Sequence, residues 1–162
     1  MIFGDTASGK SSFAEKLAQM ERLPVVHLDR IMESIGRNDR RSIGDYIKNL
    51  ASEPDWIIEG NAFTKDASYR IEQADRIYIF DFNRFVTLIN HIMRYVRLRA
   101  QKESRKGSES LDLNLRYFIP YTLVKFPPRK RRAFQSARSQ GKNIIIFRSY
   151  RDIDKYLNER FR

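Results

Sequence analysis

The sequence predicts an α/β fold with a layered parallel sheet. Five short apolar runs lack the polar alternation of a half-exposed strand, which suits parallel strands covered on both faces. Helical patterns separate these runs, and strand-helix alternation builds layered α/β sheets. Between the first run and the first helix stands Gly4-Asp5-Thr6-Ala7-Ser8-Gly9-Lys10-Ser11, the spacing G-x-x-x-x-G-K-[ST] of a phosphate-binding loop.

The elements follow in order. Ile2-Phe3 is a short first strand, and Phe13, Leu17 and Met20 recur at helical spacing after the loop. Pro24 to Leu28 reads as the second strand. Ser42 with Asp45 resembles a capping box, followed by Ile43, Ile47 and Leu50 on one helix face. Trp56 to Ile58 and Ile77 to Phe82 read as the third and fourth strands. Phe85, Leu88, Ile89, Ile92, Met93 and Val96 mark a long helix. Gln101 to Ser110 is polar and without period, the pattern of a mobile loop. Pro120 and Pro127-Pro128 punctuate the route to a basic helix near Arg129, and Gly141 fits its stop. Asn143 to Phe147 is the fifth strand. Ser149 and Asp152 open a final helix that turns Ile153, Tyr156 and Leu157 inward.

The chain has 162 residues, so one domain is expected across 1–162. It has no cysteine, which excludes disulfides and thiolate metal sites and suits a reducing cytoplasm. No apolar run approaches a membrane span, and the N-terminus lacks a signal-peptide pattern. The net charge is +11, and its placement is uneven. Arg94 to Arg138 holds 13 basic and 3 acidic residues, while the rest of the chain holds 18 and 17. Such a segment attracts phosphate-rich partners: a nucleotide, a nucleic acid or another anionic surface.

The loop carries the chemistry. Backbone N–H groups at a helix N-terminus point at one spot, where the helix dipole favours an anion. Gly4 to Ser12 therefore form the expected triphosphate cradle for ATP or GTP. Lys10 reaches the terminal phosphates, and the Ser11 hydroxyl is a Mg²⁺ ligand. In a parallel sheet, ligands bind at the carboxyl ends of strands. Asp29 and Glu59 each follow an apolar strand, where an acid can hold Mg²⁺ or accept a substrate proton. Asp81 follows a strand too but reads as a capping or solvent-facing acid. His27 falls inside a strand and reads as structural. Arg94 and Arg97 share a helix face, and Arg129 and Arg132 repeat their spacing. Arginine presents a planar, permanent charge suited to phosphoryl groups.

On these residues the chain resembles the adenylate-kinase-like P-loop kinases. It resembles more closely the small bacterial proteins described as DNA-topology-modulation or flagellar-regulation proteins. The carrying segments are Gly4–Ser11, Leu23–Asp29, Trp56–Asn61, Ala74–Asp81, Arg129–Arg132 and Ile144–Arg148. The resemblance implies a three-layer P-loop NTPase fold with strand order 2-3-1-4-5. It implies that Glu59 takes the Walker B-like acidic place beside the loop strand. It also implies a basic, helical, lid-like insertion at about 100–135. One departure stands out. Adenylate kinases follow the third-strand acid with Gly-Phe-Pro-Arg, whose arginine holds the acceptor phosphate. Here the run is Gly60-Asn61-Ala62-Phe63-Thr64-Lys65, leaving Lys65 or Arg70 as substitutes. The expected activity is Mg²⁺-ATP-dependent phosphorylation of a nucleotide or other small molecule. The alternative is an ATP-dependent regulator that grips nucleic acid through the Arg94–Arg138 segment.

Overall fold

The computed structural model describes residues 1–36, 39–61, 67–103 and 126–160, together with Pro120 and Val124. Lys65 and most of the lid-like insertion lie outside the described residues.

Five parallel strands form one sheet in the order β2-β3-β1-β4-β5. They are β1 (Ile2–Gly4), β2 (Val25–His27), β3 (Ile57–Glu59), β4 (Arg76–Phe80) and β5 (Asn143–Phe147). The helices are α1 (Lys10–Glu21), α2 (Leu28–Ile35), α3 (Arg40–Ala51), α4 (Ala67–Gln73), α5 (Arg84–Glu103), α6 (Phe126–Ser139) and α7 (Tyr150–Arg160). The register aligns Gly4 with Phe80, Phe80 with Phe147, and His27 with Glu59. The carboxyl ends of all five strands therefore meet at one edge of the sheet.

Both faces of the sheet are covered, which is why its strands do not alternate. Ile2 and Phe3 point to opposite faces and both are fully buried. On one face, the Phe13 ring of α1 meets Tyr78, Phe80 and Phe147 edge-on, at centroid distances of 5.1, 5.5 and 5.2 Å. Ile153 and Leu157 of α7 close this cluster. On the other face, Ala133 and Ala137 of α6 pack with Phe3, Ile77 and Ile79. Two alanines one turn apart let this basic helix lie close against the sheet. A third cluster joins Leu28, Ile43, Ile47 and Ile58.

Several expectations need correction. Leu28 starts α2 rather than ending β2, so Asp29 sits in a first helical turn. The fourth strand stops at Phe80, and the Asp81 amide bonds the Phe147 carbonyl at 2.8 Å. The cap of α3 is Asp39, which accepts from the Ser42 amide at 3.0 Å; the Ser42–Asp45 box is not formed. The basic helix begins at Phe126, with Pro127 and Pro128 in its first turn, where a missing N–H costs nothing. The apolar residues that mark α5 are not the ones it buries. Phe85, Ile89, Ile92, Met93 and Val96 are exposed, while Thr87 and His91 are buried.

Candidate functional site

The site grows from the end of β1. Gly4 has φ of 136°, and a Cβ there would lie 2.2 Å from the Phe80 carbonyl oxygen, so no larger residue fits. The Asp5 amide then donates to that same carbonyl at 2.8 Å. Gly9 also has positive φ, and it has no side chain with which to cap α1. The first α1 amides therefore face the loop without a side-chain cap, as an anion site requires. Lys10 folds back over the loop and donates Nζ to the Asp5 carbonyl at 2.7 Å. Ser8 Oγ donates to the same carbonyl. Burial pushes the Lys10 pKa down, the carboxylates of Glu59, Asp29 and Asp5 raise it, and Arg94 lowers it.

The neighbouring strand ends complete the edge. Glu59 is 4% exposed and accepts from Ser11 Oγ at 3.1 Å. His27 bridges two acids, with Nδ1 2.9 Å from Glu59 and Nε2 2.8 Å from Glu15. Both partners are acceptors when ionised, so both ring nitrogens are satisfied only in the imidazolium form. Burial works against that charge, but the bonds to Glu59 and Glu15 outweigh it and raise the His27 pKa. Asn61 pairs with both backbone groups of Gly4, accepting from its amide at 3.0 Å and donating to its carbonyl at 2.8 Å. This ties the end of β3 to the start of the loop.

The remaining candidates are placed as follows. Asp29 is exposed at the start of α2, within electrostatic reach of Lys10. Arg94 is exposed on α5, and its charge acts on both Lys10 and His91. Arg97 is exposed one turn further along. Arg129 and Arg132 are exposed on α6, whereas Lys130 between them reaches the loop and binds Asp5 at 2.8 Å and Asp81 at 2.6 Å. Arg70 is fully buried and donates to the Gly60 carbonyl at 3.2 Å, and burial pushes its pKa down to about 10. Tyr150 lies against the loop from α7, with its hydroxyl 3.3 Å from the Ala7 carbonyl and its ring edge-on to Phe82. A cavity of about 280 Å³ opens beside Lys130, between α6 and the ends of β4 and β5.

Sequence reasoning missed the roles of Asn61, His27, Lys130 and Tyr150. His27 carried a signal, because β2 neighbours the strand of Glu59 in the implied order. The other three depend on contacts between distant segments.

Known proteins share this architecture. A shikimate kinase from Bacteroides thetaiotaomicron superposes with a TM-score of 0.59 at 18% identity, covering 98% of this chain and 92% of that chain. The fold is that of the P-loop kinases. An uncharacterized protein from Eubacterium ventriosum matches with a TM-score of 0.52 at 12% identity, covering 98% and 97%. A gluconokinase from Sinorhizobium meliloti gives 0.45 at 18% identity, covering 86% and 94%. The isopentenyl transferase family model matches residues 1–34, the stretch from β1 through the phosphate loop into α2. No curated protein matches the chain. Among the described residues no helix is long and apolar enough to cross a membrane.

Mg²⁺ in a P-loop kinase fold is held by few protein groups, because it keeps several waters and takes phosphate oxygens. The donor set here fits that demand: Ser11 Oγ and the Glu59 carboxylate are hard oxygens, already 3.1 Å apart.

Proposed function

We propose that this chain is a P-loop phosphotransferase that moves the γ-phosphoryl group of ATP or GTP to a small-molecule or nucleotide hydroxyl. The observation that carries this reading is the convergence of Lys10, Ser11 and Glu59 at one loop on the carboxyl edge of the sheet. Backbone amides from Thr6 to Ser12 bind the triphosphate, while those of Gly4 and Asp5 are committed to Asn61 and Phe80 and shape the loop instead. Lys10 exchanges the Asp5 carbonyl for phosphate oxygens and draws charge toward the leaving group. Ser11 and Glu59 would hold Mg²⁺, which would neutralise charge on the bridging phosphates. Asp29 takes the acceptor's proton as its oxygen forms the new P–O bond and the bond to the nucleoside diphosphate breaks. Arg94 and Arg97, on the helix whose polar side faces the loop, stabilise the moving phosphoryl group. Arg129 and Arg132 join them from α6.

A second reading, an ATP-dependent nucleic-acid-binding regulator akin to the topology-modulation proteins, rests on the exposure of Arg129, Arg131 and Arg132 along α6. The deciding experiment screens hydroxyl acceptors with Mg²⁺-ATP beside a polynucleotide titration over salt. Acceptor-dependent release of ADP, absent in Lys10→Ala, is the expected result. Tight polynucleotide binding with a steep salt slope, and no small-molecule phosphorylation, would overturn it.

A further inference from the structure

A carboxylate is an unexpected group in a loop built for an anion. Asp5 follows Gly4 directly and is 6% exposed. Its backbone is fully engaged, with the amide on Phe80 and the carbonyl receiving Lys10 and Ser8. Its side chain faces a second acid, Asp81, at the end of β4. One ammonium serves both: Lys130 Nζ lies 2.8 and 3.0 Å from the two Asp5 oxygens and 2.6 Å from Asp81. Burial pushes the Asp5 carboxyl up and the hydrogen bond and charge of Lys130 pull it down. Lys130 is itself largely buried, whereas Arg129, Arg131 and Arg132 around it are exposed. One member of the basic run is thus built into the loop.

We propose that Lys130 is a positioning residue for the phosphate loop: it cancels the charge of Asp5 and so keeps the loop and Lys10 able to accept a polyphosphate. This rests on the nucleotide reading of the loop. The three groups Asp5, Lys130 and Asp81 sum to one negative charge. Lys130→Ala leaves two, Asp5→Asn leaves none, and the double variant restores one. Unlike charges and like charges act over several ångströms at the effective dielectric of a protein edge. The effect therefore scales with the charge of the ligand, which loss of packing does not.

The test is calorimetric titration of ATP, ADP and inorganic phosphate into the wild type, Lys130→Ala, Asp5→Asn and the double variant. Lys130→Ala should weaken ATP about tenfold, ADP less and phosphate least, since each unit of charge adds a further Coulomb contribution. Asp5→Asn should bind ATP more tightly than the wild type. The double variant should recover most of the loss. An equal loss for all three ligands, or a double variant as weak as Lys130→Ala, overturns the proposal. If Lys130→Ala does not fold, Asp5→Asn decides alone, and weaker ATP binding in it overturns the proposal. A wild-type protein that binds no nucleotide refutes the nucleotide reading and this inference with it. Nucleotide binding without the charge-dependent pattern refutes only the latter.

Discussion

Replacing Lys10 by methionine separates a phosphate-binding lysine from a structural one. The side chain is buried, and its ammonium donates to the Asp5 carbonyl at 2.7 Å. That carbonyl keeps the Ser8 hydroxyl when Lys10 is gone. Methionine fills similar space and removes an ammonium whose burial costs several kcal/mol. The lost hydrogen bond and the relieved desolvation nearly offset, so stability should change by no more than about 1 kcal/mol, a Tm shift within about 4 °C. The loss in binding is larger. Hydrogen bonds to a charged group contribute about 1.5–3 kcal/mol, which corresponds to roughly a tenfold to hundredfold weaker Kd for ATP. Circular dichroism melts and isothermal titration of the same sample give both numbers. A Tm lowered by more than about 10 °C with unchanged ATP affinity would refute the reasoning, because Lys10 would then hold the loop together rather than hold phosphate.

Gly60 has φ of 139°, and an added Cβ would lie 2.8 Å from the Leu28 Cβ. Gly60→Ala should therefore lose about 2–5 kcal/mol from backbone strain and overpacking, seen as a Tm drop of roughly 5–20 °C; a shift under about 3 °C would mean the strand end yields easily. Arg94→Ala should lower kcat by at least about a hundredfold with little change in KM for ATP, as for an arginine that acts on the moving phosphoryl group. A raised KM with unchanged kcat would instead make Arg94 a binding residue. Asp152 closes a capping box in the first turn of α7: its amide donates to Ser149 Oγ at 3.2 Å, and its carboxylate accepts from the Arg148 amide at 2.8 Å and the Ser149 amide at 2.9 Å. The bond from Arg148 and then that from Ser149 hold its carboxyl below the usual range. Its stabilisation is present above the unfolded carboxyl pKa and is lost as pH falls through the lower folded value. Acid melts of wild type and Asp152→Ala should accordingly converge at low pH and separate toward neutrality; a constant gap would mean the cap acts without its charge.

The strands are legible because Ile77–Phe80 and Ile144–Phe147 are continuous apolar runs, and that pattern is local. The loop is legible for the same reason: its glycines, lysine and serine stand at fixed spacing within one turn of chain. The facing of α5 is not. Its apolar period identifies a helix but not the side that packs, and here the polar side with Thr87 and His91 turns inward. Helix α2 begins immediately after β2 with His27 at its N-cap and no side-chain cap, so no start signal marks it. Helix α4 is only 7 residues long, too short for its period to register. Within Arg129-Lys130-Arg131-Arg132, no local feature separates the one residue that meets Asp5. That choice is made by how α6 lies on Ala133 and Ala137, a packing outcome spread over the whole sheet.

The chain has a single tryptophan, and its position has a practical use. Trp56 precedes β3 at the amino end of the sheet and lines a cavity of about 150 Å³ with Asp75 and Arg76. Glu59 stands three residues along the strand, about 10 Å away at the rise of an extended chain. The indole therefore reports on the floor of the molecule while the loop occupies its rim. Its emission should follow global unfolding and stay nearly constant as phosphates enter the loop. A fluorescence melt and a calorimetric titration would then read two separate ends of one sheet.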